Sequence, residues 1–480
     1  MFSDWSHILS HIASAAFELI LIGIIAGAII IIVLDNRNPV KTIAWVLVLI
    51  FLPFVGLAVY FFFGRSTRHQ RIIGKKSYNR LLKKPMAEYL AQDACHIPEE
   101  YSRVIQLFRN TGQAFPFEGN RVETYTDGSA KIESLICELQ KAVHHVHLEY
   151  YLIEDDDVGR RIRDVLVKKA RQGVKVRFIY DDVGCWTLKK RFFKEMHDAG
   201  IETRAFLEVR FPLFTGKVNY RNHRKIAVID GRVGFIGGMN LAERYVKGLS
   251  WGAWRDTHIL LEGKAVHGLQ TVFLLDWYFV SHTLIISSEY FPRIEPCGGT
   301  LVQIVTADPV GPWKEIMQGL ILIITGAKRY LYIQTPYFLP TEPVVTAIQA
   351  VALSGVDVRL MIPKRADNRI TNLGSRSYLA DLLRAGVKVY FYKKGFLHSK
   401  LIVSDDKLST IGSTNIDFRS FEQNFEVNAF LYDTNTARQM KEIFMEDQRR
   451  STQVYLKHWQ KRPLREKVME SVIRLFAPLL

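Results

Sequence analysis

The chain is poor in cysteine: four residues in 480, Cys95, Cys137, Cys185 and Cys297, spread far apart. No Cys-x-x-Cys pair or Cys/His ligand spacing occurs, which argues against a structural zinc and leaves the thiols as reduced, buried side chains. Lys and Arg are missing from residues 1–14, so the basic start of a cleaved signal peptide is absent. Acidic residues are outnumbered, 48 against 64 Lys and Arg, for a net charge of +16. That excess favours an anionic partner: nucleic acid, a phosphate ester or an acidic membrane. A hydrophobic content of 48% with 23% charge excludes disorder. The length exceeds what one core sustains, and two or three domains are expected.

Long apolar runs are what the amino terminus does have. Residues 15–34 carry one charge, Glu18, and residues 43–63 form a second run interrupted by Pro53 and Gly56. Roughly 20 residues of helix cross a hydrocarbon core. Residues 1–66 therefore read as a membrane hairpin with transmembrane helices over 15–34 and 43–63. Arg37 and Lys41 lie in the connection, and Arg65, Arg68, Arg71, Lys75, Lys76, Arg80, Lys83 and Lys84 follow the second run, opening a basic linker over 67–119. By the bias of basic residues, the large remainder of the chain is expected in the cytoplasm.

One string occurs twice. His223-Arg-Lys225, Asp230, Gly237-Gly238 and Asn240 recur with the same gaps as His398-Ser-Lys400, Asp405, Gly412-Ser413 and Asn415. Strand-like and helix-like segments repeat around it: strands over 146–153 and 174–180 flank a helix over 157–171, and strands over 330–339 and 356–362 flank a helix over 342–353. This is duplicated βαβ logic, so the fold class is α/β, with one half over 120–290 and a second over 291–455. The first half carries an extra loop, 208–221, whose Phe211, Phe214, Lys217, Tyr220 and Arg221 suit either a substrate entrance or a plain surface insertion. Residues 456–480 read as a basic amphipathic helix that lies on a membrane or packs on its own domain.

On a strand, residues two apart share a face, so His223 with Lys225, and His398 with Lys400, are expected to point together. An ammonium holds a phosphoryl oxygen while a neutral imidazole attacks phosphorus. Two such pairs supply both a nucleophile and an acid for the departing alcohol. Gly237, Gly238, Gly412 and Ser413 are candidates for close backbone approach to phosphate, and Asn240 and Asn415 for further hydrogen bonds. Asp230 and Asp405 are expected to organise the site by capping a turn. Asp256 and Glu426 are candidate partners for an imidazole. His144, His145 and His147 lack a matching ligand set and read as surface or packing residues.

These motifs resemble the paired His-x-Lys-x4-Asp signatures of the phospholipase D superfamily and, within it, the bacterial cardiolipin synthases. The resemblance extends through His147-Leu-Glu-Tyr-Tyr151, Tyr220-Arg-Asn-His-Arg-Lys225, Thr335-Pro-Tyr-Phe338, Gly395-Phe-Leu-His398 and Asn415-Ile-Asp-Phe-Arg-Ser-Phe421 to Pro478-Leu-Leu480. Cys185 and Thr335 stand where that family often has serine. The resemblance implies two tandem phospholipase D-like halves, with mixed sheets flanked by helices, related by a pseudo-two-fold. It implies phosphatidyl transfer between two phosphatidylglycerol molecules, giving cardiolipin and glycerol through a phosphohistidine. His223, Lys225, Asp230, His398, Lys400 and Asp405 would form the site, helped by Asn240 and Asn415, with no cofactor and no metal. The setting it implies is the bacterial plasma membrane, multi-pass, on an anionic surface. Competing expectations are a phospholipase D-type hydrolase, a transferase with another donor or acceptor such as phosphatidylethanolamine, and a membrane-anchored nucleic-acid-binding protein. Nucleic acid is not the expected partner.

Overall fold

The computed structural model describes residues 2–34, 39–60, 97–208 and 220–479. Arg37, residues 61–96 with their basic cluster and Cys95, residues 209–219 with Phe211, Phe214 and Lys217, and Leu480 lie outside the described residues. Of the three described cysteines, Cys137 and Cys297 are exposed and only Cys185 is buried, so the expectation of buried thiols holds for one of them.

The amino-terminal body is helical. The first apolar run lies within a single helix, Phe2–Leu34, whose segment His11–Leu34 is long and apolar enough to cross a bilayer. The second run does not form one helix. It divides into Pro39–Phe51 and Pro53–Val59, with Leu52 outside helical geometry (φ −132°, ψ 63°). Proline explains the break, because it lacks an N–H and its ring crowds the preceding turn. Among the described residues, only the first helix reaches spanning length. Ile32, Leu49 and Tyr60 are buried between the helices, with Trp45 edge-on to Tyr60 at 5.3 Å. From His11 onward, most other apolar side chains of the first helix are exposed, as lipid-facing residues would be.

The second body holds the tandem α/β halves. Strands of the first are β1 (Pro116–Tyr125), β2 (His145–Tyr150), β3 (Lys175–Asp181), β4 (Glu202–Phe206), β5 (Arg221–Asn222), β6 (Lys225–Ile229), β7 (Val233–Gly237), β8 (Ala253–Arg255) and β9 (His258–Glu262). Strands of the second are β10 (Thr300–Ala307), β11 (Tyr330–Gln334), β12 (Phe338–Leu339), β13 (Asp357–Pro363), β14 (Lys388–Tyr392), β15 (Gly395–Leu397), β16 (Leu401–Ser404), β17 (Leu408–Gly412), β18 (Ile416–Asp417), β19 (Asn424–Tyr432) and β20 (Ser451–Val454). Outward from the centre the first half runs β1-β9-β7-β6-β2-β3-β4 and the second β10-β19-β17-β16-β11-β13-β14-β20. The duplication is thus repeated in topology, and the antiparallel β1–β10 pair joins the halves into one sheet.

Local chemistry sets the connecting helices. Asp156 caps Asp157–Arg171 by accepting from the Gly159 N–H at 2.9 Å, and Lys168, Lys169 and Arg171 sit at the negative end of its dipole. The helix Glu342–Leu353 fills the equivalent place in the second half. The run expected as one strand over 330–339 is interrupted around Pro336 and yields β11 and β12. Each half has its own buried cluster, and a further apolar core spans both, joining Ile226, Val228 and Ile259 to Leu401, Val403 and Val427.

Candidate active site

Two short parallel pairings position the histidines, and both cross between halves. β5, just before His223, pairs with the start of β19, which carries Glu426. β15, just before His398, pairs with β8, next to Asp256. The His223 N–H donates to the Phe425 carbonyl at 2.9 Å, and the His398 N–H to the Arg255 carbonyl at 2.7 Å. The second pairing is so close that a Cβ on Gly395 would lie 2.0 Å from the Ala253 carbonyl oxygen, and its φ of +138° suits only glycine.

Each imidazole therefore meets a carboxylate from the other half. His223 Nδ1 lies 3.0 Å from both Glu426 oxygens. His398 Nδ1 lies 2.6 Å from Asp256 Oδ2. The acids are held in turn: Glu426 accepts from Ser413 Oγ and, at 3.1 Å, from Asn424 Nδ2, and Asp256 accepts from the Thr257 N–H at 2.7 Å. With Nδ1 engaged, Nε2 is left as the reactive nitrogen of each ring. His223 and His398 line one cavity of about 480 Å³.

Burial pushes the pKa of His223 down to about 4, against the upward pull of Glu426, and the ammoniums of Lys225 and Lys400 lower it further. Burial and then Lys400 likewise lower His398. Both imidazoles are thus held neutral near pH 7. Burial lowers Lys400 to about 8 and carries Lys225 well below the usual lysine range. Burial raises both carboxyls, but Lys400 and His398 outweigh it at Asp256, and His223 outweighs it at Glu426, so both remain ionised.

The lysines sit differently from the expectation of a shared strand face. β6 begins at Lys225 and β16 at Leu401, so each histidine precedes its strand. Each lysine folds back so that Nζ donates to the carbonyl of its own histidine, and Lys400 Nζ also lies 3.0 Å from His398 Nδ1.

Asp230 and Asp405, expected to organise the site by capping a turn, lie at the far ends of β6 and β16. Asp230 accepts from the backbone N–H groups of Val143, His144 and His145 at 2.8–2.9 Å. Asp405 accepts from those of Lys328, Arg329 and Tyr330 at 2.7–2.9 Å. Each caps the start of a neighbouring strand rather than its own turn. Gly237, Gly238, Gly412 and Ser413 do not line the cavity. A Cβ on Gly238 would lie 2.1 Å from Asp256 Oδ1, and one on Gly412 the same distance from Asn428 Oδ1. These positions make room for side chains beneath the site, not for phosphate.

Asn240 and Asn415 both line the cavity; Asn240 Nδ2 donates to the Tyr245 hydroxyl at 2.6 Å. Several lining residues were not among the sequence candidates, Arg244, Tyr245 and Trp254 among them, while Tyr151 and Tyr337 lie in segments that carry the family resemblance. Arg221 is the most telling of those outside the repeat. It is buried, lines the cavity, and its Nη1 and Nη2 have no hydrogen-bond partner among the described residues. The sequence singles it out in the loop 208–221 and in Tyr220-Arg-Asn-His-Arg-Lys225, but does not assign it a role at phosphate. His145 and His147 are buried packing residues that bond Gln270. Among the described residues, no cluster of three or more metal-ligating side chains occurs.

A family model described as the cardiolipin synthase phospholipase D-like domain matches residues 135–267 and again 320–448. Another, described as a phospholipase D-nuclease N-terminal segment, matches residues 23–65. The cardiolipin synthase of Geobacillus kaustophilus is 43% identical over 457 residues, covering 94% of this chain and 91% of that one. The major cardiolipin synthase ClsA of Bacillus subtilis is 39% identical over 482 residues, covering 98% of this chain and all of that one. Among solved structures, the phosphatidylserine synthase of Haemophilus influenzae shares the fold, with a TM-score of 0.61 at 13% identity over 79% of this chain and 98% of that one. The chain belongs to the cardiolipin synthase family of phospholipase D-like phosphatidyltransferases.

Proposed function

We propose that the chain condenses two phosphatidylglycerol molecules into cardiolipin and glycerol, using His223 and His398 as an exchanging nucleophile and acid. One observation carries the reading: two histidine–carboxylate pairs, each built across the halves, open into one cavity. Nε2 of one imidazole attacks the phosphorus of the donor. The P–O bond to the departing glycerol breaks, and the second imidazolium gives that oxygen its proton. The second imidazole then takes the proton of an acceptor headgroup hydroxyl, whose oxygen displaces the phosphohistidine. Both histidines start neutral, so the second must gain its proton as substrate arrives; the phosphodiester's negative charge offsets the two lysines and favours that imidazolium. Arg221 holds the phosphoryl oxygens from the cavity wall, Asn240 and Asn415 add donors, and Lys225 and Lys400 contribute positive charge next to the histidines.

The family and the apolar amino-terminal helix make this a membrane-associated protein acting on phospholipid. A two-pass hairpin with cytoplasmic catalytic halves is the topology we propose, on the charge pattern alone. Purified protein in phosphatidylglycerol vesicles should release cardiolipin and glycerol in equal amounts. Phosphatidic acid as the sole product would make it a hydrolase instead.

A further inference from the structure

The carboxyl-terminal segment has two faces. Along the helix Leu464–Leu475, Glu470 is buried against Arg462, and Arg474 stacks on Tyr378 at 4.3 Å. The opposite face carries Leu464, Val468, Val472, Leu475 and Phe476, all exposed, with Leu464 at 75% and Leu475 at 79%. Their spacing of four, four, three and one residues places them in one stripe at helical period. A water-facing stripe of this kind marks a contact surface. Residues 456–480 hold six bases and two acids, and both acids, Glu466 and Glu470, already meet Arg462. What is left over is positive: Arg465 is exposed on the same helix, and Lys457 and Lys461 are exposed just before it in the chain.

The same segment is tied to the cavity wall at two points. Ile473 packs near Gly374 in the helix Arg369–Ser377, and Gly374 in turn faces Leu339. Leu339 and Thr371 line the cavity, and Ile370 beside them is half exposed. Further on, Gln423 Nε2 donates to the Pro478 carbonyl at 3.4 Å, at the end of the helix Phe418–Glu422 whose Arg419 lines the cavity. Across the pseudo-two-fold, the turn after β3 exposes Trp186 at 68%, while its neighbour Cys185 bonds the carbonyl of cavity-lining Tyr151.

We propose that this stripe is seated in an anionic phospholipid leaflet and holds the mouth of the cavity against the bilayer. A space of about 480 Å³ takes a phosphate and its headgroup, not the acyl chains of two diacyl lipids. Those chains stay in the membrane, so the mouth must come to them. Apolar side chains enter the acyl boundary, flanking bases meet lipid phosphates, and an exposed tryptophan suits the headgroup level. The choice of lipid as partner rests on the phosphatidyl-transfer reading of the cavity.

The test uses the full chain in phosphatidylglycerol-containing vesicles, with its own cysteines replaced and a polarity-sensitive dye placed at Val472→Cys or, as control, Glu466→Cys. Nitroxides on lipid acyl chains should quench the dye at 472 at least twofold and leave 466 unchanged. A dye at 472 that is open to aqueous iodide, or that is shielded from iodide yet unquenched by lipid, overturns the proposal; the second result means a protein partner or a second copy. In parallel, the double variant Val468→Glu/Leu475→Glu should lose at least tenfold in activity on vesicles and keep its activity on monomeric short-chain phosphatidylglycerol. Equal loss on both substrates, or loss on neither, also overturns it. Wild-type protein inactive on both forms would count against phosphatidyl transfer, while quenching would still decide the surface.

Discussion

At the scale of single residues, the proposed reaction makes the two imidazoles act as one unit, although they lie 175 positions apart in the chain. His223→Ala and His398→Ala should each lower kcat by about 10³-fold or more, and the double variant should be no worse than either single, because a concerted pair is lost with its first member. Glu426→Gln and Asp256→Asn keep shape but remove the charge that orients each ring, at a cost of about 10²-fold. Lys400 sets the alkaline side. With its pKa depressed to about 8, its ammonium is present below that pH and disappears as pH rises through it. The profile of kcat/KM should therefore fall near pH 8, and Lys400→Arg, which stays charged, should carry activity to higher pH from a lower plateau.

The histidines and lysines were legible in the sequence because the repeat places the same chemistry twice. The acids Asp256 and Glu426 were visible as candidates, but not the exchange of partners. Spacing along the chain ties each to the motif before it, whereas β5–β19 and β8–β15 pairing ties each to the other half. Short strands of two or three residues leave no periodic signal to read.

At the scale of elements, Asp230 and Asp405 are the hinges of order. Each has positive φ, +53° and +57°, and each collects three backbone N–H groups that open β2 or β11. Replacing either with Ala removes those acceptors and strains the backbone. We expect a loss of about 2–4 kcal/mol in stability. Asp230→Asn, which tolerates the same φ and keeps one acceptor oxygen, should lose less. Thermal unfolding in detergent would rank them, and folded protein should retain most of its kcat. The helices over 157–171 and 342–353 were readable to the residue, the first because the Asp156 cap and apolar period agree, the second because Pro343 at its start and Gly355 past its end bound an apolar run. The second apolar run was not, since composition registers hydropathy and overlooks the break that Pro53 imposes on the helix.

At the scale of the molecule, the halves share a core and exchange acids, so neither is a domain in the sense of folding or working alone. Chains covering residues 97–290 and 291–480 should each be inactive and poorly soluble when expressed separately. Expressed together they should recover measurable transfer, since the cut falls in the connection between the helix Val266–Ser281 and β10, although it lies beside the buried Tyr290. Recovery of activity by one fragment alone would contradict the crossed pairs.

The exchange of carboxylates also bears on how such a protein can change over time. A lone ancestral copy with this arrangement would have been inert as a monomer and competent as a symmetric pair. Within one polypeptide each copy is free to differ, as the Asp/Glu difference between the two carboxylates and the Gly238/Ser413 difference beneath them show. What is not free is the seam itself, where a drift in either copy is felt first by its twin.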